Sequence, residues 1–537
     1  MTNATNINDV LDGHVRLEVE CVDRLYLNGY VPNLQVSGQV ALFLTRHLDN
    51  SIPSPAIFER IGNKFRRDVD AFARDNNIPV LHLKKPDRTR WDDRKIDHVQ
   101  PHLDRAEREG RFGVVAIVAA QEFQWVFTGK NRAEPPAVCF AFTKTERRVS
   151  TYYFYVRDRE FGPGFIKICS YFPYPAKVWV NGHEWAKRQA ERQGIGFTSL
   201  ANGFATCDQP DRLQTICDRF GPGDVQAFFD RWISVIPVPL TAHDHTHGYW
   251  WELSMRQVEV SRTLVFDDPR RARVFFEALV ADNIDIGRPD EVSAVFARRV
   301  QRNTPGIFRT RIFTPGTDVK MDFCYKHSRV KQYLKEGRAL RIETVINNPS
   351  DIKVQRRLCH LPELVAKASQ VNRRLLMIER AGQGCAIGSA LFERIHQPYA
   401  REGQRTGAFR FGDIRAMALA GALCMSVHAV AGFTNKSLRS LVAGLLGTDY
   451  STNQMTYDLR RLRLHGLIER QPRSQTYTLT PEGIRVAVFY TKLDARLLRP
   501  LLEADKPPAP LELRRALTTI EHIVADYVTN ARLQPAA

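Results

Sequence analysis

The sequence predicts a multidomain protein of the α/β and α+β classes. A chain of 537 residues is long enough for about three domains. Its 43% apolar and 25% charged residues are typical of a folded globular protein. Helix-like and strand-like patterns alternate in the first part of the chain, and strand-like patterns dominate the middle. The expected domains are an N-terminal α/β domain at 1–147, a β-rich basic core domain at 148–350, a helical basic connector at 351–405, a mainly helical domain with a β-hairpin at 406–505 and an amphipathic helix at 506–537.

The N-terminal domain is predicted from two helices and two buried strands. Helical periodicity covers Val36–His47 and Ile57–Asp75, and apolar runs mark strands at Ile78–Leu83 and Phe112–Ala119. The glycine-rich motifs G-x-x-x-x-G-K-[S/T] and G-x-G-x-x-G do not occur, so no nucleotide triphosphate or dinucleotide pocket is predicted. The charged segment 84–110 is either a solvated helix with a loop or an arm that follows phosphates.

The central domain contains consecutive strand signals that are dense in aromatic residues. They cover Ser150–Val156, Gly164–Phe172 and Lys177–Val180, and glycine- and proline-rich turns separate them. The tyrosines of this region belong either to a core or to a platform on which nucleic-acid bases stack. They are Tyr152, Tyr153, Tyr155, Tyr171 and Tyr174.

Charged residues at the ends of these strands form the first candidate metal site. Asp158, Lys167 and Glu184 are expected at one edge of the sheet. Two carboxylates beside a lysine can hold a divalent ion, Mg²⁺ or Mn²⁺, and polarise a phosphate for hydrolysis. Asp158 and Glu184 are therefore candidate metal ligands, and Glu184 is also a candidate catalytic residue. The alternative is that exposed strand ends carry these charges without a ligand.

Two further segments of the central domain carry polar residues in unusual places. His243–His247 holds three histidines, which fits either metal binding or a surface loop, and the flanking prolines and glycine favour the loop. Tyr249–Phe266 is predicted to be a long strand. Its polar residues, among them Gln257 and Glu259, indicate either an exposed edge or a functional site.

A basic hairpin is predicted at Tyr325–Asn347, with its turn at Lys335–Arg338. Alternation places two sets of side chains on common faces. These are Lys331, Tyr333 and Lys335 on the first strand, and Arg341 and Glu343 on the second.

The sequence pattern Tyr-x-Lys…Leu-Arg-x-Glu of this hairpin resembles the strand pair of some rolling-circle replication initiators. In that family a catalytic tyrosine and a His-hydrophobic-His metal motif cleave single-stranded DNA. That metal motif is absent here, because His243-Asp-His is a His-polar-His sequence. The resemblance implies strand-cleaving chemistry with Lys331, Tyr333 and Glu343 as catalytic residues. The alternative is a phosphate-binding hairpin in which Glu343 pairs with a basic neighbour, and in which the nucleic-acid contacts come from Lys335, Arg338 and Arg341.

The segment Thr434–Tyr490 has the pattern of a winged helix-turn-helix. Thr434 and Ser451 are in the right places to cap two successive amphipathic helices. The strands of a hairpin follow at Leu467–Gln471 and Thr476–Thr480. The polar face of the second helix and the tip of the hairpin are predicted to bind nucleic acid. The residues concerned are Asn453, Gln454, Thr456, Tyr457, Arg460, Arg461, Arg463 and Arg473.

This order of elements resembles the winged-helix modules of MarR-like bacterial regulators. The most specific part is the phrase that begins Met455-Thr-Tyr-Asp-Leu-Arg-Arg-Leu and runs into Gly466-Leu-Ile. The resemblance implies that the polar face enters a DNA major groove while the wing touches the backbone. The alternative is a module used for protein contacts or dimer formation. The whole chain also resembles an uncharacterised bacterial family, which implies nothing about mechanism.

Composition narrows the choice of partner and compartment. With 77 basic and 59 acidic residues, the chain has a net charge of +18. That excess favours a polyanion, with DNA expected and RNA as the other candidate. Nine scattered cysteines without a C-x-x-C pair fit a reducing cytoplasm. No signal peptide or membrane span is predicted, so a cytoplasmic protein without membrane contact is expected. The amphipathic helix Leu511–Leu533 is expected to dock on the protein or to form a homodimer.

These observations together predict a nucleic-acid-binding protein of a mobile or defence-type element. The winged helix would locate DNA, and the basic core would cleave or remodel nucleic acid as a metal-dependent endonuclease or strand-transfer enzyme. The alternative is a non-enzymatic transcriptional regulator or a structured-RNA-binding protein, in which the core is a binding domain.

Overall fold

The computed structural model describes residues 11, 13–83, 95–132, 140–283, 307–313, 320–382, 389–401, 403–424, 433–471, 475–493, 515–516, 518–520 and 522–523. They belong to two compact units. The first, the sheet unit, comprises Leu11–Phe276 and Arg311–Arg373. The second, the C-terminal unit, includes the described residues from Arg374 onward.

A mixed eleven-stranded sheet forms the framework of the sheet unit. Its strands, in spatial order, are β10 (Ile307–Phe313), β11 (Lys320–Lys326), β12 (Ser328–Lys335), β13 (Ala339–Ile346), β9 (Glu252–Phe266), β1 (Val15–Tyr30), β6 (Ala176–Asn181), β5 (Gly162–Cys169), β4 (Phe140–Asp158), β3 (Gly113–Asn131) and β2 (Val80–His82). β2 pairs in parallel with β3, whereas β1 pairs antiparallel with both β6 and β9. A separate hairpin joins β7 (Phe197–Leu200) to β8 (Gly203–Cys207).

Helices lie between the strands of this sheet and after the last of them. They are α1 (Ser37–Leu42), α2 (Ala56–Asp75), α3 (Lys95–Arg108), α4 (Gly182–Arg192), α5 (Pro210–Arg219), α6 (Pro222–Ile233), α7 (Ala242–Thr246), α8 (Pro269–Asn283) and α9 (Leu361–Gly382). The helix predicted at Val36–His47 is α1 followed by a π-helical turn, Phe43–His47. The loop favoured at His243–His247 is instead the short helix α7. It forms because the Thr241 side chain accepts a hydrogen bond from the backbone N–H of Asp244.

The mixed α/β class is confirmed, and one sheet crosses the boundary expected between residues 147 and 148. That boundary lies inside β4, whose two halves both pair with β3. The strand signals of the central domain and the strands expected in front of it are therefore neighbours in one sheet. The predicted strand at Phe112–Ala119 continues as far as Asn131 as β3, because β4 pairs with it along its whole length.

β1 lies at the centre of the sheet and contains a bulge. Three residue steps on β1, from Val22 to Leu25, lie opposite only two steps on β9, from Val260 to Val258. The extra residue re-aims the side chains of Asp23 and Arg24, which lie opposite Glu259. Bulges of this kind are common beside functional sites.

Strand register places a row of aromatic side chains on one face of the sheet. Residues that pair directly across strands project to the same side. Tyr155 pairs with Phe165, Phe165 with Trp179, Trp179 with Tyr26, and Tyr26 with Gln257. The row therefore crosses from β4 to β9 and ends beside the bulge.

The hairpin predicted around Lys335–Arg338 is confirmed as β12 and β13. The backbone N–H of Arg338 donates to the carbonyl of Lys335, at 3.2 Å. Both central residues of the turn have positive φ, 50° at Glu336 and 69° at Gly337. These angles define the type of turn whose twist matches antiparallel strands, and the glycine makes it accessible.

The C-terminal unit consists of short helices and small two-stranded sheets. Its elements are α10 (Ser389–His396), β14 (Tyr399–Arg401), β15 (Gln404–Thr406), α11 (Ile414–Cys424), α12 (Asn435–Leu446), α13 (Thr452–Leu464), β16 (Ile468–Arg470), β17 (Tyr477–Leu479) and α14 (Pro481–Leu493). Thr434 and Ser451 cap α12 and α13 as predicted, and Gly447 ends α12 with a φ of 66°. A bridge from Phe433 to Tyr477 extends the β16–β17 hairpin.

Some predictions fall outside the described residues. They concern Arg473, most of the amphipathic helix at 506–537 and the part of the charged segment at 84–94. Within the described part of the chain, no helix has the length and apolarity required to cross a membrane.

Candidate functional site

A groove of about 670 Å³ lies on the aromatic face of the sheet unit. Five aromatic side chains, two cations and one acidic residue are among those that line it. The residues that matter for the argument are Arg24, Tyr26, Lys95, Tyr153, Phe165, Trp179 and Glu259. Helix α3 contributes one wall, because Val99 and Leu103 pack against Tyr153 and Tyr155.

The floor of the groove is a set of half-buried rings with positive charges beside them. The rings of Phe165 and Trp179 are nearly parallel, with centroids 6.1 Å apart. The Nζ of Lys177 and the guanidinium of Arg256 lie 5.2 and 5.4 Å from the Tyr26 ring centroid. Flat rings with adjacent cations are the surface on which unpaired bases stack while their phosphates are neutralised.

A charged cluster at the β4–β5 end fixes helix α3 to the sheet. Glu122 accepts a hydrogen bond from Lys95 at 2.7 Å and one from the Tyr153 hydroxyl at 2.7 Å, and it pairs with Lys167. Burial acts to raise the pKa of Glu122, but Lys167 and the hydrogen bonds outweigh it and bring the pKa to about 2. Lys167 is therefore committed to Glu122.

Three buried carboxylates converge near the other end of the groove. One oxygen each from Asp23, Glu259 and Glu343 lies within 4.8 Å of the other two. The bulge brings Asp23 from β1, while β9 and β13 supply the two glutamates. Carboxylate oxygens at such separations are the donor set that Mg²⁺ or Mn²⁺ prefers.

Arg341 neutralises Asp23 inside the protein. Its guanidinium donates to Asp23 at 2.5 Å, to the carbonyl of Asn202 at 2.8 Å and to the hydroxyl of Thr263 at 3.0 Å. Burial acts to raise the pKa of Asp23, but Arg341 and the other nearby positive charges lower it to about 2. The expectation that Arg341 contacts nucleic acid is corrected, because its side chain is only 1% exposed.

Glu343 is held by the two residues that the hairpin pattern grouped with it. Lys331 donates to one oxygen at 2.9 Å, and the Tyr333 hydroxyl donates to the other at 3.0 Å. Burial and Asp23 act to raise the pKa of Glu343, but Lys331 and Arg341 hold it below its ordinary value. Burial and Glu343 raise the pKa of Tyr333, which opposes formation of a phenolate nucleophile. The pairing of Glu343 with Lys331 is what the alternative interpretation expected, in which the hairpin binds phosphates and Glu343 pairs with a basic neighbour.

Glu259 differs from its two acidic neighbours because its charge is poorly compensated. Gln257 donates to one oxygen at 2.6 Å, whereas the other oxygen is buried and has no donor among the described residues. Burial raises the pKa of Glu259; Lys331 opposes this effect, but the charges of Glu343 and Asp23 add to it, so that the pKa is about 7. At neutral pH this group exchanges a proton, and it lies on the wall of the groove.

The raised pKa of Glu259 predicts a pH-dependent stability. Between pH 4.5, the ordinary pKa, and pH 7 the unfolded chain loses a proton that the folded protein keeps. The folded state then binds more protons, so the free energy of unfolding falls as the pH rises through this window. Glu259→Gln is expected to abolish the fall and to stabilise the protein above pH 7 by about 3 kcal/mol. Urea unfolding across the window, in the presence of a chelator, measures this. Parallel profiles for the variant and the wild type would contradict it.

The acidic residues of the first predicted metal site are each paired with other side chains. Asp158 accepts hydrogen bonds from Arg231 at 2.6 Å and from the Trp232 indole at 2.9 Å. Glu184 pairs with Lys187 on its own helix at 2.9 Å. Asp158 and Glu184 therefore have different partners. Among the described residues, the three carboxylates that converge are instead those of Asp23, Glu259 and Glu343. The sequence reasoning missed Asp23 because β1 was not predicted, although Val15–Cys21 alternates apolar and polar residues.

The exposed face of α13 is the second candidate surface. Its exposed residues include most of the predicted nucleic-acid contacts, namely Asn453, Thr456, Tyr457, Arg460 and Arg463. Gln454 is also exposed, but its side chain accepts a hydrogen bond from the backbone N–H of Ser451 as part of the helix cap. On the β12–β13 turn, Arg338 is exposed and Lys335 half-buried.

Arg461 is corrected from a nucleic-acid contact to an internal residue. Its side chain donates to the carbonyl of Ala408, and the guanidinium lies 5.1 Å from the Phe409 ring centroid. It also approaches the fully buried Asp458 at 3.6 Å. The helical pattern of the sequence could not show that Arg461 is internal, because residues 407–409, which are distant in sequence, cover that part of α13.

Comparison with protein-family models, with curated proteins and with solved structures gives no match. The two candidate surfaces are therefore interpreted from their geometry. One combines aromatic rings, cations and an acidic end, and the other is a polar helix face with two exposed arginines.

Proposed function

We propose that the chain is a nucleic-acid-binding protein that contacts its ligand through α13. The observation that carries this proposal is the exposed polar face of α13, which holds Arg460, Arg463 and Asn453. Arginines bind phosphates and guanine edges, and an asparagine can read adenine, so the face has the chemistry of a major-groove reader. DNA is the expected ligand, and RNA is the alternative. Assignment to a mobile or defence-type element stays a prediction from sequence.

The order of elements around α13 supports a winged helix-turn-helix. Helix α12 precedes α13 after a short turn, the β16–β17 hairpin follows, and α14 closes the unit. The bridge from Phe433 adds a third strand position to the hairpin. In such modules the second helix of the pair lies in the groove and the first crosses the backbone.

The aromatic groove supplies a second binding surface in this proposal. Trp179, Tyr26 and Phe165 present rings on which unpaired bases would stack. Arg24 lines the groove, and Lys177 and Arg256 lie over the Tyr26 ring, where they would neutralise a phosphate backbone. Single strands are the ligand of such a surface, because bases in a duplex have no free faces.

Exposed arginines on α13 should dominate binding to duplex DNA. Arg460→Ala combined with Arg463→Ala is expected to weaken binding by about 1–3 kcal/mol and to reduce its salt dependence. Both side chains are exposed, so the stability of the unit should not change. Fluorescence anisotropy over a salt series measures both quantities.

Arg485→Ala is the control for loss of charge, because this exposed arginine lies on α14 rather than α13. It should leave affinity nearly unchanged. If the double variant binds as tightly as the wild type at every salt concentration, α13 is not the contact surface.

Metal-dependent cleavage is the second candidate function, favoured by the convergence of Asp23, Glu259 and Glu343 beside the groove. These carboxylates would hold a Mg²⁺ or Mn²⁺ ion, which would supply polarisation of a phosphate and activation of a water for phosphodiester hydrolysis. The expected signature is magnesium-dependent cutting that Glu343→Gln abolishes while binding is retained. An intact ligand with both proteins would contradict it.

A further inference from the structure

Three histidines from two separate segments meet at the surface of the sheet unit. His47 ends the π-helical turn after α1, whereas His243 and His247 lie at the start and just after the end of α7. One ring nitrogen of each lies within 4.8 Å of the other two. The ring centroids of His243 and His247 are 4.2 Å apart, and those of His47 and His243 are 5.1 Å apart. His243 and His247 are exposed, so an ion from solution can reach them.

Hydrogen bonds already orient two of the three rings. His47 Nε2 lies 2.6 Å from Oδ1 of Asp244, which leaves Nδ1 of His47 for another partner. His247 Nδ1 lies 2.8 Å from the carbonyl of His243, which leaves Nε2. Asp244 is itself buried and fixed, because Thr241 donates to Oδ2 from its backbone N–H and its hydroxyl. Metal-binding imidazoles usually have a carboxylate hydrogen-bonded to the nitrogen that does not hold the metal, and this bond fixes the orientation of the ring.

We propose that His47, His243 and His247 bind a transition-metal ion, with Zn²⁺ the best match. Imidazole nitrogens suit zinc, copper or nickel and do not suit Mg²⁺. In a tetrahedral zinc site with Zn–N bonds of about 2.0–2.1 Å, the ligating nitrogens of the histidines lie about 3.3 Å from one another. The three ring nitrogens lie within 4.8 Å of one another, and rotation of the two exposed rings would bring them closer to that spacing. The site supplies three protein ligands and leaves a fourth position for water or a donor atom of a ligand.

The ion would link α7 to the π-helical turn. These segments belong to different connections of the sheet, one after β1 and one before β9. The site shares no residue with the groove or with the buried carboxylates. It is therefore independent of the proposed nucleic-acid function and would persist if that proposal failed.

The test uses the full-length chain without an affinity tag, stripped of metal by a chelator. Zinc is titrated in competition with a chromogenic chelator, and Co²⁺ is added in parallel to record the absorption of a tetrahedral site. We expect one tight zinc per chain that is absent from the double variant His243→Ala/His247→Ala, and a large loss in His47→Ala. Unfolding of the double variant in chelator should match that of the wild type, because both rings that it removes are exposed. His47→Ala is expected to be less stable, because the buried His47 side chain pairs with Asp244.

His245→Ala is the matched control. His245 lies on the same helix, but its ring packs on Trp250, with centroids 4.4 Å apart. It should bind zinc as the wild type does. Equal zinc binding by the wild type and the double variant would overturn the proposal. So would a loss in His245→Ala as large as that in the double variant.

Discussion

Replacing Arg341 by alanine is expected to lower the free energy of unfolding of the sheet unit by about 3–5 kcal/mol. The guanidinium is almost fully buried and donates to Asp23, to the carbonyl of Asn202 and to Thr263. Its removal leaves the carboxylate of Asp23 buried without its main countercharge. A buried charge that loses its partner is far more costly than a surface pair.

Urea unfolding followed by tryptophan fluorescence measures this effect. All seven tryptophans precede residue 252, so the signal reports on the sheet unit. Arg338→Ala removes an exposed arginine from the same hairpin and should change stability by less than about 0.5 kcal/mol. If Arg341→Ala unfolds like the wild type but loses nucleic-acid binding, Arg341 is a contact residue as the sequence pattern suggested.

Trp179→Ala and Tyr26→Ala are each expected to weaken binding of a single-stranded oligonucleotide by about 1–3 kcal/mol. Both rings are half-buried on the floor of the groove and pair directly across β6 and β1. A base stacked on either ring would lose that contact. Binding of duplex DNA should stay close to wild type, because the exposed face of α13 is unchanged.

Anisotropy with single-stranded DNA, single-stranded RNA and duplex DNA separates these effects. Trp250→Ala serves as the control, since this half-buried tryptophan does not line the groove. A parallel loss of duplex binding would indicate general misfolding, which urea unfolding detects. Unchanged single-strand binding by the Tyr26/Trp179 double variant would exclude the groove as a binding surface.

Local signals predicted several elements well. The β12–β13 hairpin follows from alternation on both sides of a Glu-Gly turn, and all of these residues are close in sequence. The caps of α12 and α13 were also predictable, because Thr434 and Ser451 accept from N–H groups three residues away. In each case the physical cause lies within one turn or one hairpin.

The buried site could not be predicted in the same way, because its partners are distant in sequence. Asp23 and Arg341 are 318 residues apart, and only the pairing of β1, β9 and β13 brings them together. The bulge places Asp23 opposite Glu259, and it exists only because of the register in which β1 pairs with β9. For Arg461, the covering segment at Ala408 is 53 residues away. Charge patterns alone assign such residues to the surface.

The central claim is that this protein binds nucleic acid through α13 and the groove. The most direct measurement purifies the wild type and the quadruple variant Tyr26→Ala/Trp179→Ala/Arg460→Ala/Arg463→Ala side by side, without nuclease, and extracts and sequences the nucleic acid that remains bound. Incubation of the recovered nucleic acid with the wild-type protein and Mg²⁺ then tests for cleavage. The account predicts a defined nucleic acid on the wild type that is largely absent from the folded variant. Equal amounts of the same nucleic acid on both proteins, or none on either, would contradict it.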